Sequence, residues 1–267
     1  MDDAVQRAEQ TYDAAADTYD APVNGFWNVH GSRTVERLGL APTAHVLDLP
    51  CGSGSSALAA ARVAESVLAV DIAANLLDLA RAKAEREGLT NIEFLRADMR
   101  ATGLANEAFD AVVSVHGVFF VPDRVSLMRE LWRLVAPGGV LAVTTWGPDM
   151  LEPGAGAFWD AVGAERPDLV RGFNPWDDFT STAQLIDLYT AAGIPNARAE
   201  LEEYEQPLAS PEDWWSVVLG TGFRGTVEQL HEDAVRRVRI ANVAALADVR
   251  RLNASVVYGA AVKIGDV

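Results

Sequence analysis

From Ala44 to Gly147 short apolar runs alternate with longer stretches of helical period. The runs "HVLDL", "SVLAVD", "NIEFLRAD", "FDAVVSVHGVFFV" and "VLAVTTWG" read as five strands. The fourth is apolar almost throughout, as expected of a strand buried on both faces. The intervals read as helices. One runs from Ser55 to about Ala64, and "AANLLDLARAKAERE" carries its apolar stripe at Leu76, Leu77, Leu79 and Ala80 until Gly88 stops it. A third, "DRVSLMRELWRLVA", ends at Pro137-Gly138-Gly139. Repeated strand–helix–strand units predict an α/β fold with a doubly wound, mostly parallel sheet and right-handed crossovers.

The flanks are less regular. Residues 1–40 are Ala-rich, amphipathic and helical, cut into two pieces by Pro22 and Asn24-Gly25. After Gly147, "TAQLIDLYTAAG" reads as a helix, "NARAELEEYEQPL" as a polar-edged strand and "SVVYGAAVKIG" as a last strand, with a Trp-containing helical segment before it. The expected organisation is one domain over 1–267, with a helical lid at 1–40 and a ligand-binding core at 41–148. Region 149–267 then forms the substrate side, with 207–252 inserted as a helical cap.

Composition narrows the partners. At 49% hydrophobic and 22% charged, the 267 residues hold enough apolar material for a sizeable core. The formal net charge of −16 disfavours nucleic acid and anionic membranes. Cys51 is the only cysteine, so neither an intramolecular disulfide nor a cysteine zinc site is expected, and the four histidines have no metal-ligand spacing. The acidic start "MDDAVQRAEQTYDAAADTYD" does not resemble a signal peptide, and no stretch reaches the ~20 apolar residues of a spanning helix. A cytoplasmic protein acting on a small molecule is expected, without membrane insertion, and with a homodimer left open.

The chemistry concentrates at strand ends. "VLDLPCGSG" carries Asp48 at the end of the first strand, then Pro50, Cys51, Gly52 and Gly54. Gly52 and Gly54 allow a ligand close to the backbone, and the helix that follows offers free N–H groups. "GSGSSA" also satisfies a dinucleotide pattern, which alone is a weak signal. Asp71 closes the second strand, where a carboxylate can accept hydrogen bonds from two ribose hydroxyls, and Asp98 closes the third. Asp48 beside a pyrophosphate would be unfavourable, whereas beside an ammonium it helps. Acids closing three successive strands suit an adenosine ligand with cationic groups, S-adenosylmethionine.

"VLDLPCGSG", "VLAVDIAANLLDLARAKA", "ADM", "FDAVVSVHGVFFVPD" and "LVAPGGVLAVTTWGP" resemble, in order and spacing, the motifs of class I S-adenosylmethionine-dependent methyltransferases. The closest likeness is to the small-molecule branch of the ubiquinone/menaquinone-biosynthesis type. The resemblance implies a Rossmann-like sheet of seven strands and S-adenosyl-L-methionine as cofactor. It implies that Asp71 holds the ribose and Asp98 the adenine amino group, with Ile72 and Met99 sandwiching the adenine. Gly52 and Gly54 would admit the methionine end, Val115 or His116 would border the methyl, and Tyr19 would close over the cofactor. The family loop has glycine where this chain has Pro50, which stiffens the loop entrance and removes an N–H.

Methyl transfer needs alignment and exclusion of water, and a base only for a weakly acidic acceptor. His116 is the first candidate base and His30, in "FWNVHG", the second. Phe26, Trp27, Phe119, Phe120, Trp146, Phe158, Trp159, Phe173, Trp176, Trp214, Trp215 and Phe223 either pack lid helices or line a cleft for a flat acceptor. Arg224 either meets a substrate carboxylate or pairs with a lid acid. The expected reaction is methylation of a small, largely hydrophobic natural product or isoprenoid-type metabolite, with oxygen as the leading acceptor and nitrogen or carbon as alternatives. A nicotinamide-dependent oxidoreductase would want a Tyr-x-x-x-Lys pair, and no tyrosine here has lysine four residues later. A non-methylating S-adenosylmethionine-binding protein is the remaining alternative.

Overall fold

A computed structural model describes residues 3–170 and 176–265. In chain order it runs α1 (Asp3–Tyr19), a 3-10 turn at Pro22–Asn24, α2 (Phe26–Leu38), β1 (His45–Asp48), α3 (Ser55–Ala61) and β2 (Ser66–Asp71). Then come α4 (Ala74–Glu87), β3 (Ile92–Arg96), β4 (Phe109–Val115), α5 (Arg124–Leu134), β5 (Val135–Trp146) and α6 (Gly154–Glu165). The remainder is α7 (Thr182–Ala191), β6 (Arg198–Glu202), β7 (Glu205–Pro207), α8 (Asp213–Leu219), α9 (Arg224–Val227), α10 (Glu232–Ala245), β8 (Arg251–Asn253) and β9 (Val256–Val262).

The sheet has seven strands in the order β3-β2-β1-β4-β5-β9-β6. Strands β1 to β5 pair in parallel, whereas β9 is antiparallel to both β5 and β6. Strand order reverses between β1 and β4, and the crevice beyond their carboxyl ends is where such sheets bind ligands. Alternation explains the two covered faces. Val46, Ala111 and Val113 pack with Val35, Ala57 and Ala60, while Leu47 and Val112 pack with Leu76, Met128 and Leu131.

Three boundaries differ from the sequence pattern, each for a local reason. The fourth strand stops at Val115 because His116 turns into the left-handed region at φ 53°, and residues 118–120 form a 3-10 turn. The polar-edged strand splits into β6 on the sheet and β7, which pairs with β8 in a separate two-stranded ribbon. The fifth strand begins at Val135, ahead of Pro137-Gly138-Gly139, and a register irregularity falls between Phe109 and Ala111 on its partner. Between β6 and β9 lie α8, α9 and α10, with Trp214 fully buried and its indole Nε1 donating to Asn242 Oδ1 at 2.6 Å.

Val35 of α2 packs on a face of the sheet, whereas Tyr12 and Tyr19 of α1 and Trp27 of α2 reach the carboxyl ends of the strands, and polar contacts fix α1 there. Ser53 Oγ of the glycine loop donates to Asp20 Oδ1 at 2.7 Å, and Lys83 Nζ donates to both Ser53 Oγ and Asp20 Oδ1. Asn75 N donates to Asp13 Oδ1 at 2.9 Å, which ties α1 to the start of α4. Among the described residues no helix is long and apolar enough to cross a membrane, and no group of three or more metal-ligating side chains occurs.

Candidate active site

Two clefts meet beneath the N-terminal helices. The first, of about 960 Å³ including part open to solvent, lies at the carboxyl ends of β1, β2 and β4 and in the segment after β3. Tyr19, Pro50, Cys51, Gly52, Asp71, Ile72, Asp98, Met99, Val115 and His116 all line it. Asp71 is buried, with Oδ2 accepting from Gly52 N at 2.7 Å and Oδ1 from Ala73 N at 2.8 Å. Burial raises its carboxyl to about 6, against the lowering effect of the Ala73, Gly52 and Ile72 amides. Asp98 is partly exposed and accepts from Arg100 Nη2 at 2.7 Å.

Three other residues singled out in the sequence do not line this cleft. Asp48 is fully buried behind the loop, where Ser56 Oγ donates to its Oδ2 at 2.7 Å while Oδ1 has no partner. Its carboxyl is pushed up to about 7 by burial, partly offset by the Ser56 hydroxyl. The expectation that it faces the ligand fails because the chain turns at Leu49–Pro50 and puts Pro50 and Cys51 in front of it. Gly54 serves packing: at φ 89° it caps α3, and a Cβ there would overlap Leu58 and press on Ala80. His30 is fully buried and reaches the cleft only through His116.

Pro50 lines the cleft and packs its ring over Gly117, where a Cβ would overlap it. Gly117→Ala is therefore expected to destabilise the fold by about 1–3 kcal/mol in urea denaturation. In Pro50→Ala the same substitution should have a smaller effect, and strict additivity in that double-mutant cycle would exclude the coupling.

Residues missed in the sequence include Val5, Ala8 and Tyr12, which line the cleft from α1. Their signal was available: with Tyr19 they recur at helical spacing on one face. Ser55 and Ser56 at the start of α3 also line it, and nothing in their local sequence set them apart from a helix start.

The second cleft, about 340 Å³ including part open to solvent, shares Tyr12, Trp27 and His116 with the first and adds Phe119, Trp146, Trp176, Thr221 and Phe223. No charged side chain lines it. Trp27 stacks on Tyr19 at 5.2 Å between centroids, and His116 stacks on Trp146 at 4.3 Å. Of the remaining aromatics, Phe26, Phe158 and Trp214 are buried packing residues, and Phe173 lies outside the described residues. Arg224 pairs with Asp17 of α1 at 3.8 Å and with Glu228, the lid-acid alternative.

His116 holds the junction. Its backbone N donates to Thr144 O at 2.8 Å, its Nε2 lies 2.9 Å from His30 Nδ1, and its Nδ1 is buried without a partner. Burial lowers both imidazoles, His30 to about 3 and His116 well below the ordinary histidine range, so both are neutral at pH 7.

A family model described as "Methyltransferase domain" matches residues 47–143. An uncharacterised methyltransferase of Mycobacterium bovis is 34% identical over 153 residues, covering 57% of this chain and 75% of that protein. Aklanonic acid methyltransferase DauC of a Streptomyces species is 30% identical over 143 residues, covering 52% of this chain and 65% of that protein. The YcgJ protein of Bacillus subtilis matches in fold with a TM-score of 0.60 at 13% identity, over 89% of this chain and 100% of that one. The chain spans 42% of the length of the first curated relatives it matches, uncharacterised mycobacterial proteins 36% identical over 116 residues.

Proposed function

Because the chain belongs to the class I S-adenosylmethionine-dependent methyltransferases, we propose that it binds this cofactor in the glycine-loop cleft and methylates a small, largely hydrophobic metabolite held in the aromatic cleft. Oxygen is the acceptor atom in this reading. One observation carries it: His116 lines both clefts, so a group bound in one lies beside a group bound in the other.

The residues present fit the cofactor. Gly52 at φ 53° leaves room for the Tyr19 hydroxyl, which a Cβ would approach to 3.0 Å. Asp71 supplies a buried carboxylate for a ribose, Asp98 an acceptor for an exocyclic amine, and Ile72, Leu76 and Met99 an apolar bed for a flat base. When bound, S-adenosylmethionine supplies an electrophilic methyl group next to a sulfonium. The chain's own work is then to align the acceptor and exclude water, which the Trp27, Trp146 and Tyr12 walls do. As the acceptor oxygen is methylated, its hydroxyl proton passes to His116 Nδ1, the unpartnered ring nitrogen. The likeness to aklanonic acid methyltransferase supports a natural-product acceptor.

Calorimetric titration tests the cofactor directly. Micromolar binding of S-adenosylmethionine and S-adenosylhomocysteine, on the order of −8 kcal/mol, is expected, with none for NAD. Labelled-methyl transfer to hydroxylated aromatic and isoprenoid acceptors tests the reaction. Cofactor binding with no transfer to any acceptor would favour a non-methylating protein, and binding of NAD alone would overturn the reading.

A further inference from the structure

The aromatic cleft has a fixed hydrogen-bond polarity. Three residues of its lining each carry, among the described residues, a buried polar side-chain atom without a partner: Trp27 Nε1, His116 Nδ1 and Thr221 Oγ1. The threonine hydroxyl can donate or accept, and the indole can only donate. For His116 the answer follows from a chain of partners. His30 Nε2 lies 2.9 Å from Ala254 O, and a carbonyl only accepts, so His30 carries its proton on Nε2. A neutral His30 then has its lone pair on Nδ1, which faces His116 Nε2 at 2.9 Å. His116 must donate there, which leaves its own lone pair on Nδ1. The anchor is firm, because Ala254 is fully buried and its N–H donates to Tyr204 O at 2.8 Å. His30 is itself fully buried, so water cannot supply a competing partner.

We propose that this cleft recognises an uncharged, planar, hydroxyl-bearing ligand through an obligatory acceptor, His116 Nδ1, and that His30 is the positioning residue that fixes this polarity. An ether of the same ligand has no hydrogen to give to His116 Nδ1 and can pair only as an acceptor, with Trp27 Nε1 or Thr221 Oγ1, so it binds more weakly. A carboxylate or ammonium finds no counter-charge in the lining and is excluded by desolvation. The ligand polarity stands on the hydrogen-bond chain alone. Its consequence for turnover, preferential release of an O-methylated product, rests on the methyl-transfer reading above.

Two measurements without cofactor test it. Nitrogen-15 NMR of histidine-labelled protein distinguishes protonated from unprotonated ring nitrogens, and His116 is expected with Nδ1 unprotonated and Nε2 protonated. Adding 2-naphthol should shift the Nδ1 resonance, and it should bind at least about tenfold more tightly than 2-methoxynaphthalene, the worth of one buried hydrogen bond. In His30→Phe the second His116 tautomer should appear and the preference should fall to about unity. His30→Gln, whose amide can donate to Ala254 O and accept from His116, should restore both, which a purely space-filling role would not require. A protonated Nδ1 in the unmodified protein, no binding of 2-naphthol to folded protein, or an unchanged preference in His30→Phe would each overturn the proposal. Absence of S-adenosylmethionine binding would instead remove the methyl-transfer reading and leave the tautomer result intact.

Discussion

Asp71→Ala is expected to weaken S-adenosylmethionine binding by at least about a hundredfold, the loss of two hydrogen bonds to a charged acceptor at roughly 1.5 kcal/mol or more each. On the proposed reading the carboxylate has two duties. It already accepts from Gly52 N and Ala73 N, so it holds the loop and the start of α4 in place before any ligand arrives. Asp71→Asn should be nearly as damaging, because its amide group would set N–H against N–H at one of those positions. Calorimetry on both variants checks this, and unchanged affinity in either would remove Asp71 from the ribose role. The wild-type pH dependence has a definite sign. Burial raises this carboxyl to about 6, above its ordinary 3.8, so the folded state binds the proton more tightly than the unfolded chain. Its contribution to stability is therefore greatest below about 4 and declines as pH rises toward 6. The ionised form is the better ribose acceptor, so affinity should fall as pH drops through about 6. Stability and affinity thus move in opposite directions over the same window, as expected where a buried carboxylate is kept for binding.

The parts of this design that could be read from the chain are those written in local pattern. Apolar runs between helical stripes placed β1 to β5 in order, and acids directly after such runs placed Asp71 and Asp98 on the ligand side. What could not be read depends on where the backbone turns and on contacts far apart in sequence. Asp48 differs from Asp71 only in the turn that follows it, and that turn screens it behind Pro50 and Cys51. The permissive partner for Pro50 is Gly117, which lies on a different strand connection. His30 and His116 are 86 positions apart, and Ala254, which His30 meets, comes from a third region, so no window of sequence contains the chain of hydrogen bonds that fixes their tautomers. The antiparallel entry of β9 between β5 and β6 is likewise a matter of topology, because its apolar run would read the same in either direction.

His116→Ala is expected to lower kcat by about 10²–10⁴-fold, the usual contribution of a positioned base, while changing cofactor affinity less than about threefold. The separation follows from its place. His116 borders the cofactor cleft only at the junction, and the cradle formed by Gly52, Asp71 and Met99 does not depend on its ring. Its ring does wall the aromatic cleft by stacking on Trp146, so alanine also enlarges that cleft. His116→Phe separates the two effects, since it keeps a flat ring and removes the acceptor nitrogen. An equal loss of kcat in both variants assigns the loss to proton removal, whereas recovery in His116→Phe would leave the residue a wall. The pH profile gives an independent sign. Burial and the neighbouring His30 hold the His116 imidazole well below 6.5, so the ring is already neutral throughout the range from 6 to 8. kcat should therefore be flat there, without the histidine limb expected of an exposed base, and the KM for cofactor should rise below about 6 as Asp71 takes up its proton. A kcat limb near 6.5 would mean that His116 is solvated during turnover. That would break the hydrogen-bond chain to Ala254 on which its single free lone pair depends.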